Sequence, residues 1–475
     1  MHASSGLRRA LARPVDGAAL AAFRALFGAL LLIGTVRFAA RGWIASMYID
    51  PGYHFPYWGF AWVRPWPGPG MYIHFVALAL AALALALGLR PRLAALVCFI
   101  LFTHVELIDK AAYLNHYYFV SVVLLLLIFV PTRGDRPAPA WALYALRLQV
   151  GLVYFFAGVA KLRGDWLLRA QPLKTWLAAH ADFPLLGPLF ARPETATIMS
   201  WAGAAFDLTV PFLLLHPRTR PPAFAALLGF HALTGMLFPI GMFPWLMSAA
   251  ALIFFPPDWP RRLRARLLRA LGRPVPRDSP HVPKDMPPLA AMASPVPKDM
   301  SPLSRAGLAP LRATDSPHVP KDMPLLSRAG LAALALHFAV QLALPLRHHL
   351  YPGDHAWSEE GYRYAWHVML VEKTGTVSYR VRDPASGRVF VVHPEDALTA
   401  QQAAQMAIAP DMILDYAHHL AAEFAARGLP GVEVRADAFV AFNGRASARL
   451  IDPTVDLARE RDGLRPRPWI LPAPP

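Results

Sequence analysis

Residues 154–166 read YFFAGVAKLRGDW, an apolar and aromatic helix that ends in a lysine, Lys161. Just upstream, DKAAYLNH at 109–116 sets Asn115 and His116 at the mouth of a second apolar run. Ionisable groups at the edge of a bilayer are costly and call for a functional explanation. Desolvation disfavours the charged form of a lysine, which makes Lys161 a candidate base acting on something dissolved in the membrane. The competing reading is a snorkelling lysine that ends a span with its head in water.

The rest of the chain agrees with a membrane setting. Of 475 residues, 55% are hydrophobic and 16% are charged, against about 25% charged in soluble domains. The formal charge of +16 does not read as a nucleic-acid footprint. Acidic residues outnumber basic ones across 351–475, so the excess falls within 1–350, in short loops where it sets membrane orientation. No nucleic-acid partner is expected. Cys98 is the sole cysteine, which excludes an internal disulfide and a cysteine-based metal site. Arg8, Arg9 and Arg13 precede an apolar run long enough to span, so no cleavable signal peptide is expected.

Apolar runs near the ~20 residues that cross a bilayer fall at 17–38, 71–89, 93–109, 113–131, 141–161, 196–215, 222–238, 239–255 and 328–347. Pro239 and Pro244 interrupt the 222–255 region. With the N-terminus in the cytoplasm, alternation puts Arg90/Arg92, Arg133/Arg136, Arg218/Arg220 and the Arg261–Arg269 cluster inside as well. The C-terminal region then lies outside, in the periplasm if the membrane is a bacterial inner one. Lys161, Arg163 and Arg169 are the exception, positive charge on the outer side. The expected architecture is a polytopic α-helical membrane bundle of about nine helices with a small C-terminal α+β domain outside the membrane.

The expected divisions are a tail at 1–16, a transmembrane domain at 17–260, a linker at 261–327, a last span at 328–349 and the α+β domain at 350–475. The linker is basic and proline-rich. SPHVPKDM occurs at 279–286 and 316–323, and LSRAGLA at 303–309 and 326–332. These low-complexity repeats are expected to be disordered and to play no part in catalysis. In the last domain, 377–381 and 436–442 alternate like strands, Asn443-Gly444 signals a hairpin, and 400–426 reads as a helix broken at Pro410.

Several segments in order resemble the vitamin K-dependent gamma-glutamyl carboxylases and their bacterial relatives, the HTTM-domain proteins. They are DKAAYLNHYYF at 109–119, RLQVGLVYFFAGVAKLRGDW at 147–166, FDLTVPFLL at 206–214 and FHALTGMLFPIGMFPW at 230–245, then GYRYAWHVML at 361–370 and FVAFNGRASARLIDPTVDL at 439–457. The resemblance implies an enzyme that uses O2 to oxidise a reduced naphthoquinone, such as menaquinol, to its epoxide. The oxygenated intermediate removes a proton from the γ-carbon of a glutamate, and the carbanion captures CO2. A glutamate-containing peptide or protein would be the substrate. Lys161 matches the catalytic lysine of an AGVKKL-type motif, with Ala160 in place of the first lysine of that pair. His116 matches the catalytic histidine, with Asn115 beside it. Tyr362, Tyr364 and Trp366 match a GYSW-like segment near the glutamate site, with His367 where an acidic residue is usual. The animal enzymes continue beyond the IDPTVDL-like segment, so the epoxidising half of the chemistry is expected more firmly here than the carboxylating half.

Residue roles follow as expectations. A neutral Lys161 would take the proton of a phenolic hydroxyl, whose pKa is near ~10, with desolvation from Tyr154, Phe155, Phe156 and Trp166. His116 would hydrogen-bond a quinone oxygen or a carboxylate, or else be an interfacial histidine. Asn115 would orient it or bind the quinone, or else cap a helix. His231 is either a hydrogen-bonded core histidine or a wall of the quinone pocket. Asp207, in an apolar run, needs a partner; Arg147 or Lys110 would make a structural ion pair. Tyr362, Tyr364 and Trp366 would share one face of a strand, to contact substrate or to pack the domain on the membrane. No metal is expected, because His348/His349 and His418/His419 are adjacent pairs that do not face one ion. The alternatives are a quinol oxidoreductase that does not carboxylate, and a non-enzymatic scaffold or transporter, whose usual internal repeat is not seen in the spans.

Overall fold

The computed structural model describes residues 8, 10–274 and 326–474. The SPHVPKDM repeats lie outside the described residues. Helices stand at every stretch read above as a span: α1 (Ala18–Ala40), α2 (Gly70–Leu87), α3 (Pro91–Ile108), α4 (Asn115–Phe129), α5 (Ala140–Ala160), α6 (Pro193–Leu215), α7 (Arg220–Leu237), α8 (Phe243–Ala251) and, after the amphipathic α9 (Trp259–Ala270), α10 (Arg328–Leu346). Among the described residues, six of these helices are long and apolar enough to cross a membrane: α1, α2, α3, α5, α6 and the one beginning at Arg328. The shorter α4 and α8 and the more polar α7 complete the bundle. Pro239 lies in the break between α7 and α8, as expected of a residue without an amide hydrogen, and Pro244 sits in the first turn of α8, where the missing hydrogen costs nothing. Ile73, Leu80 and Ile198 are each at least 60% exposed on the bundle's outside, a surface that lipid accommodates and water does not.

Close helix contact sets the core. A Cβ at Gly28 of α1 would lie 2.6 Å from the Ala86 nitrogen of α2. One at Gly158 of α5 would lie 2.7 Å from the Leu208 nitrogen of α6. Only glycine permits either approach. Half-buried Arg147 donates to the Ile253, Phe254 and Phe255 carbonyls at 2.9, 3.3 and 3.0 Å, satisfying the end of the segment after α8. It therefore does not pair with Asp207.

The C-terminal domain is a four-stranded antiparallel sheet of β1 (Lys373–Arg382), β2 (Val389–Val392), β3 (Glu433–Phe442) and β4 (Ala448–Arg449), in the order β2-β1-β3-β4. Helices α11 (Ala400–Ala407) and α12 (Pro410–Ala426) pack on it, separated at Pro410 as the sequence suggests. Asn443 and Gly444 both have positive φ and turn the chain from β3 toward β4. The segment 361–366 corrects one expectation. It is a run of turns, not a strand, with Tyr364 at φ 62° and Trp366 at φ 59°. Alternation of aromatics mimics a strand, but here tertiary packing overrides it.

The two parts are joined by buried charge. Lys110, the other partner weighed for Asp207, instead meets Asp415 at 2.5 Å and Asp411 at 3.0 Å, and Arg363 meets Asp411 at 2.6 Å. Burial pushes the Asp415 carboxyl up to about 7, which Lys110 only partly offsets. Burial also raises Asp411, but Arg363 and Lys110 outweigh it and hold that carboxyl well below the usual range. Folded Asp415 thus keeps its proton more tightly than the unfolded chain does. Its stabilising contribution is complete below the ordinary carboxylate pKa of ~4 and is lost as pH climbs to about 7. Asp415→Asn is expected to flatten the pH dependence of thermal unfolding in detergent across that window. A slope unchanged from the parent protein would refute the assignment.

Candidate active site

Lys161 forms the C-cap of α5, where its side chain turns back along the helix instead of snorkelling outward. Nζ donates to the Ala157 carbonyl at 3.2 Å and meets Asp207 Oδ2 of α6 at 2.8 Å. It lies 5.2 Å from the centre of the Trp166 ring. Lys161 is 5% exposed and Asp207 3%. Gly158, by letting α6 approach at Asp207 and Leu208, makes this pairing geometrically available. The amine is therefore held by a carboxylate, not by aromatic desolvation alone.

A cavity of about 350 Å³ and another of about 270 Å³ lie side by side. The smaller is walled by Lys161, Asp207, Tyr154, Trp166, His231 and apolar side chains that include Phe206, Phe230 and Phe238. Tyr154 Oη and His231 Nε2 are 2.7 Å apart, so His231 is both hydrogen-bonded in the core and part of the wall. Trp166 is fixed by donation from Nε1 to the Ser200 carbonyl at 2.8 Å. The larger cavity is lined by His116, Asn115, Arg37, Glu106 and Tyr117, among others. Ile240, Phe243, Val368 and Met369 line both. Lys161 and His116 thus face a common partition from opposite sides.

His116 packs its ring on Tyr117 and Phe243, with centroids 4.6 and 5.9 Å away. Asn115 is the first residue of α4, and Leu114 holds the cap position. The Asn115 side chain accepts from Tyr113 Oη at 3.0 Å and donates to the His367 carbonyl at 3.1 Å. It thereby ties α4 to the segment whose Val368 and Met369 roof both cavities.

Among the described residues, neither cavity is lined by Tyr362, Tyr364 or Trp366. Tyr364 packs on Tyr57, Tyr113 and Tyr118, and its amide donates to Tyr113 Oη at 2.8 Å. Trp366 stacks on Tyr118 at 4.9 Å and is 1% exposed. Tyr362 rests on His367, with centroids 4.6 Å apart.

Sequence reasoning missed the pairing of Lys161 with Asp207. A lone cation in FAGVAKL and a lone anion in FDLTVPF could have been matched by charge. It also missed Arg37 and Glu106, and the meeting of His348, His355 and His367, whose ligating atoms lie within 4.8 Å of one another. That reading compared only adjacent histidines.

Residues 12–259 match the HTTM domain family, and residues 326–475 match the lumenal domain of vitamin K-dependent gamma-carboxylase. No solved structure matches the chain. At the family level these matches imply a carboxylase-like enzyme that uses a reduced vitamin K, O2 and CO2. With a bundle of membrane-length helices followed by the matching domain, the chain belongs to the HTTM-domain, vitamin K-dependent gamma-carboxylase family.

Proposed function

We propose that the protein is a quinol-dependent γ-glutamyl carboxylase in which the cavity beside Lys161 takes a reduced naphthoquinone, menaquinol by preference, from the bilayer. The observation that carries this reading is a buried lysine–aspartate pair opening onto an aromatic-walled cavity of about 270 Å³. A naphthoquinol is a flat bicyclic ring with two hydroxyls para to each other on one of its rings. The cavity fits it, offering Trp166, Phe206, Phe230 and Phe238 to the ring, with Lys161–Asp207 and Tyr154–His231 as polar groups. When bound with O2, such a quinol supplies the oxidation that generates the strong base needed to carboxylate glutamate.

The residues of this chain manage protons. Ammonium beside carboxylate and amine beside carboxylic acid have the same net charge. A proton can therefore cross the 2.8 Å between Lys161 and Asp207 without creating charge in apolar surroundings. In the second form Nζ accepts the proton of a phenolic hydroxyl of pKa near ~10. His116 and Asn115 serve the neighbouring cavity, where Arg37 offers a positive charge to a carboxylate. The arginine distribution orients the C-terminal domain to the outer side, from which the peptide would approach.

A second reading, quinol epoxidation without carboxylation, gains from the absence of Tyr362, Tyr364 and Trp366 from the cavity walls. One assay separates the two. Purified protein is given reduced menaquinone, O2, labelled CO2 and a glutamyl peptide, and quinone epoxide and carboxylated peptide are scored separately. Both products are expected. Epoxide alone selects the second reading, and neither product overturns both.

A further inference from the structure

Three histidines from separate segments converge where the C-terminal domain meets the end of α5. His348 comes from the turn Arg347–Leu350, His355 opens the one-turn helix His355–Ser358, and His367 follows the run of turns at 361–366. Ring centroids are 4.0 Å apart for His348 and His355 and 4.9 Å for His355 and His367. We propose that these imidazoles form a binding site for a late first-row divalent cation of the zinc type, with water in the fourth position.

Two features prepare the site. His348 Nδ1 is 2.8 Å from the Pro345 carbonyl, which fixes that nitrogen as the N–H donor and leaves Nε2 as a lone-pair ligand. Such a bond to the second nitrogen is the usual way a metal-ligating histidine is oriented. His367 is 4% exposed, and its Nδ1 has no hydrogen-bond partner among the described residues. A buried polar atom left without a partner is costly, and a cation would satisfy it. Three neutral imidazoles suit zinc and its neighbours, and three protein ligands plus water is a recurrent open zinc geometry.

Arg163 opposes the cation. Its Nη1 lies 3.0 Å from His355 Nε2, and its guanidinium also pairs with Asp354. Metal binding must displace it from His355, while Asp354 can retain it. The ligating atoms must also draw in from the present 4.8 Å limit to about 3.4 Å, the separation that Zn–N bonds of about 2.1 Å impose in a tetrahedron. Tyr364 and Trp366, at positive φ just before His367, and Met369, at positive φ just after it, mark this segment as conformationally strained.

The test is titration of full-length, metal-stripped protein in detergent, without a histidine tag, using Co2+ as a spectroscopic probe. Wild type is expected to bind one equivalent with intense tetrahedral d–d bands that Zn2+ abolishes. His348→Ala and His367→Ala should each weaken binding at least 10-fold, since loss of a mere outer-shell partner of a ligand already costs about 10–100-fold. Arg163→Gln should tighten it, and His349→Ala should leave it unchanged. Wild type that binds no Co2+, or binds it only with the weak bands of octahedral coordination, overturns the proposal without recourse to any variant. So does binding that survives replacement of all three histidines, or that is lost equally in His349→Ala.

Discussion

Lys161→Met is expected to abolish quinol epoxidation, a loss of at least about 10²–10⁴-fold for a positioned proton acceptor, and to destabilise the fold. Removing one partner leaves Asp207, 3% exposed, as an uncompensated buried carboxylate, a change that costs about 3–5 kcal/mol. Two effects with one cause would be hard to separate, so the double variant Lys161→Met/Asp207→Leu is the informative companion. Replacing both members of a buried ion pair by apolar groups is often neutral or stabilising. Thermal unfolding in detergent should therefore recover to near the parent value while epoxide formation stays absent. If instead the folded double variant still turned over quinol, the pair would be architectural, and the proton acceptor would have to be sought at Tyr154 and His231, which share the same wall.

That pair also shows how far a sequence can be read. Lys161 stood out because an amine at the end of an apolar helix is costly, and the structure does bury it against an aromatic cavity. Its partner lies 46 positions away on α6. Nothing in periodicity says which face of α6 meets α5. Gly158 settles that by permitting contact at Leu208, and its meaning emerges only once the two helices are seen together. The strands, the Pro410 break and the Asn443-Gly444 turn were legible because period and turn chemistry are local. The turns at 361–366 were not, since Tyr364 and Trp366 adopt positive φ that bulky side chains avoid. Contacts with Tyr57, Tyr113 and Tyr118, drawn from distant parts of the chain, hold them there. The histidine cluster was hidden for the same reason: its members are joined by folding, not by spacing.

Trp366→Ala distinguishes a packing role from a substrate role for this aromatic segment. A glutamyl-binding tryptophan would, when truncated, raise KM for a peptide and leave quinol turnover intact. The indole, however, is 1% exposed, packed within the apolar core of the helical bundle and stacked on Tyr118. Truncating such a ring costs about 3–5 kcal/mol. The ring so removed lies two and three residues before Val368 and Met369, which line both cavities. Relaxation there would disturb the Lys161 side and the His116 side alike. Quinol epoxidation and peptide carboxylation should therefore fall together, with a lowered unfolding temperature and no selective rise in the peptide KM. A rise confined to that KM, in a variant as stable as its parent, would mean that the ring swings out of the core to meet substrate. The positive φ at Trp366 would then mark a movable segment, not a fixed one.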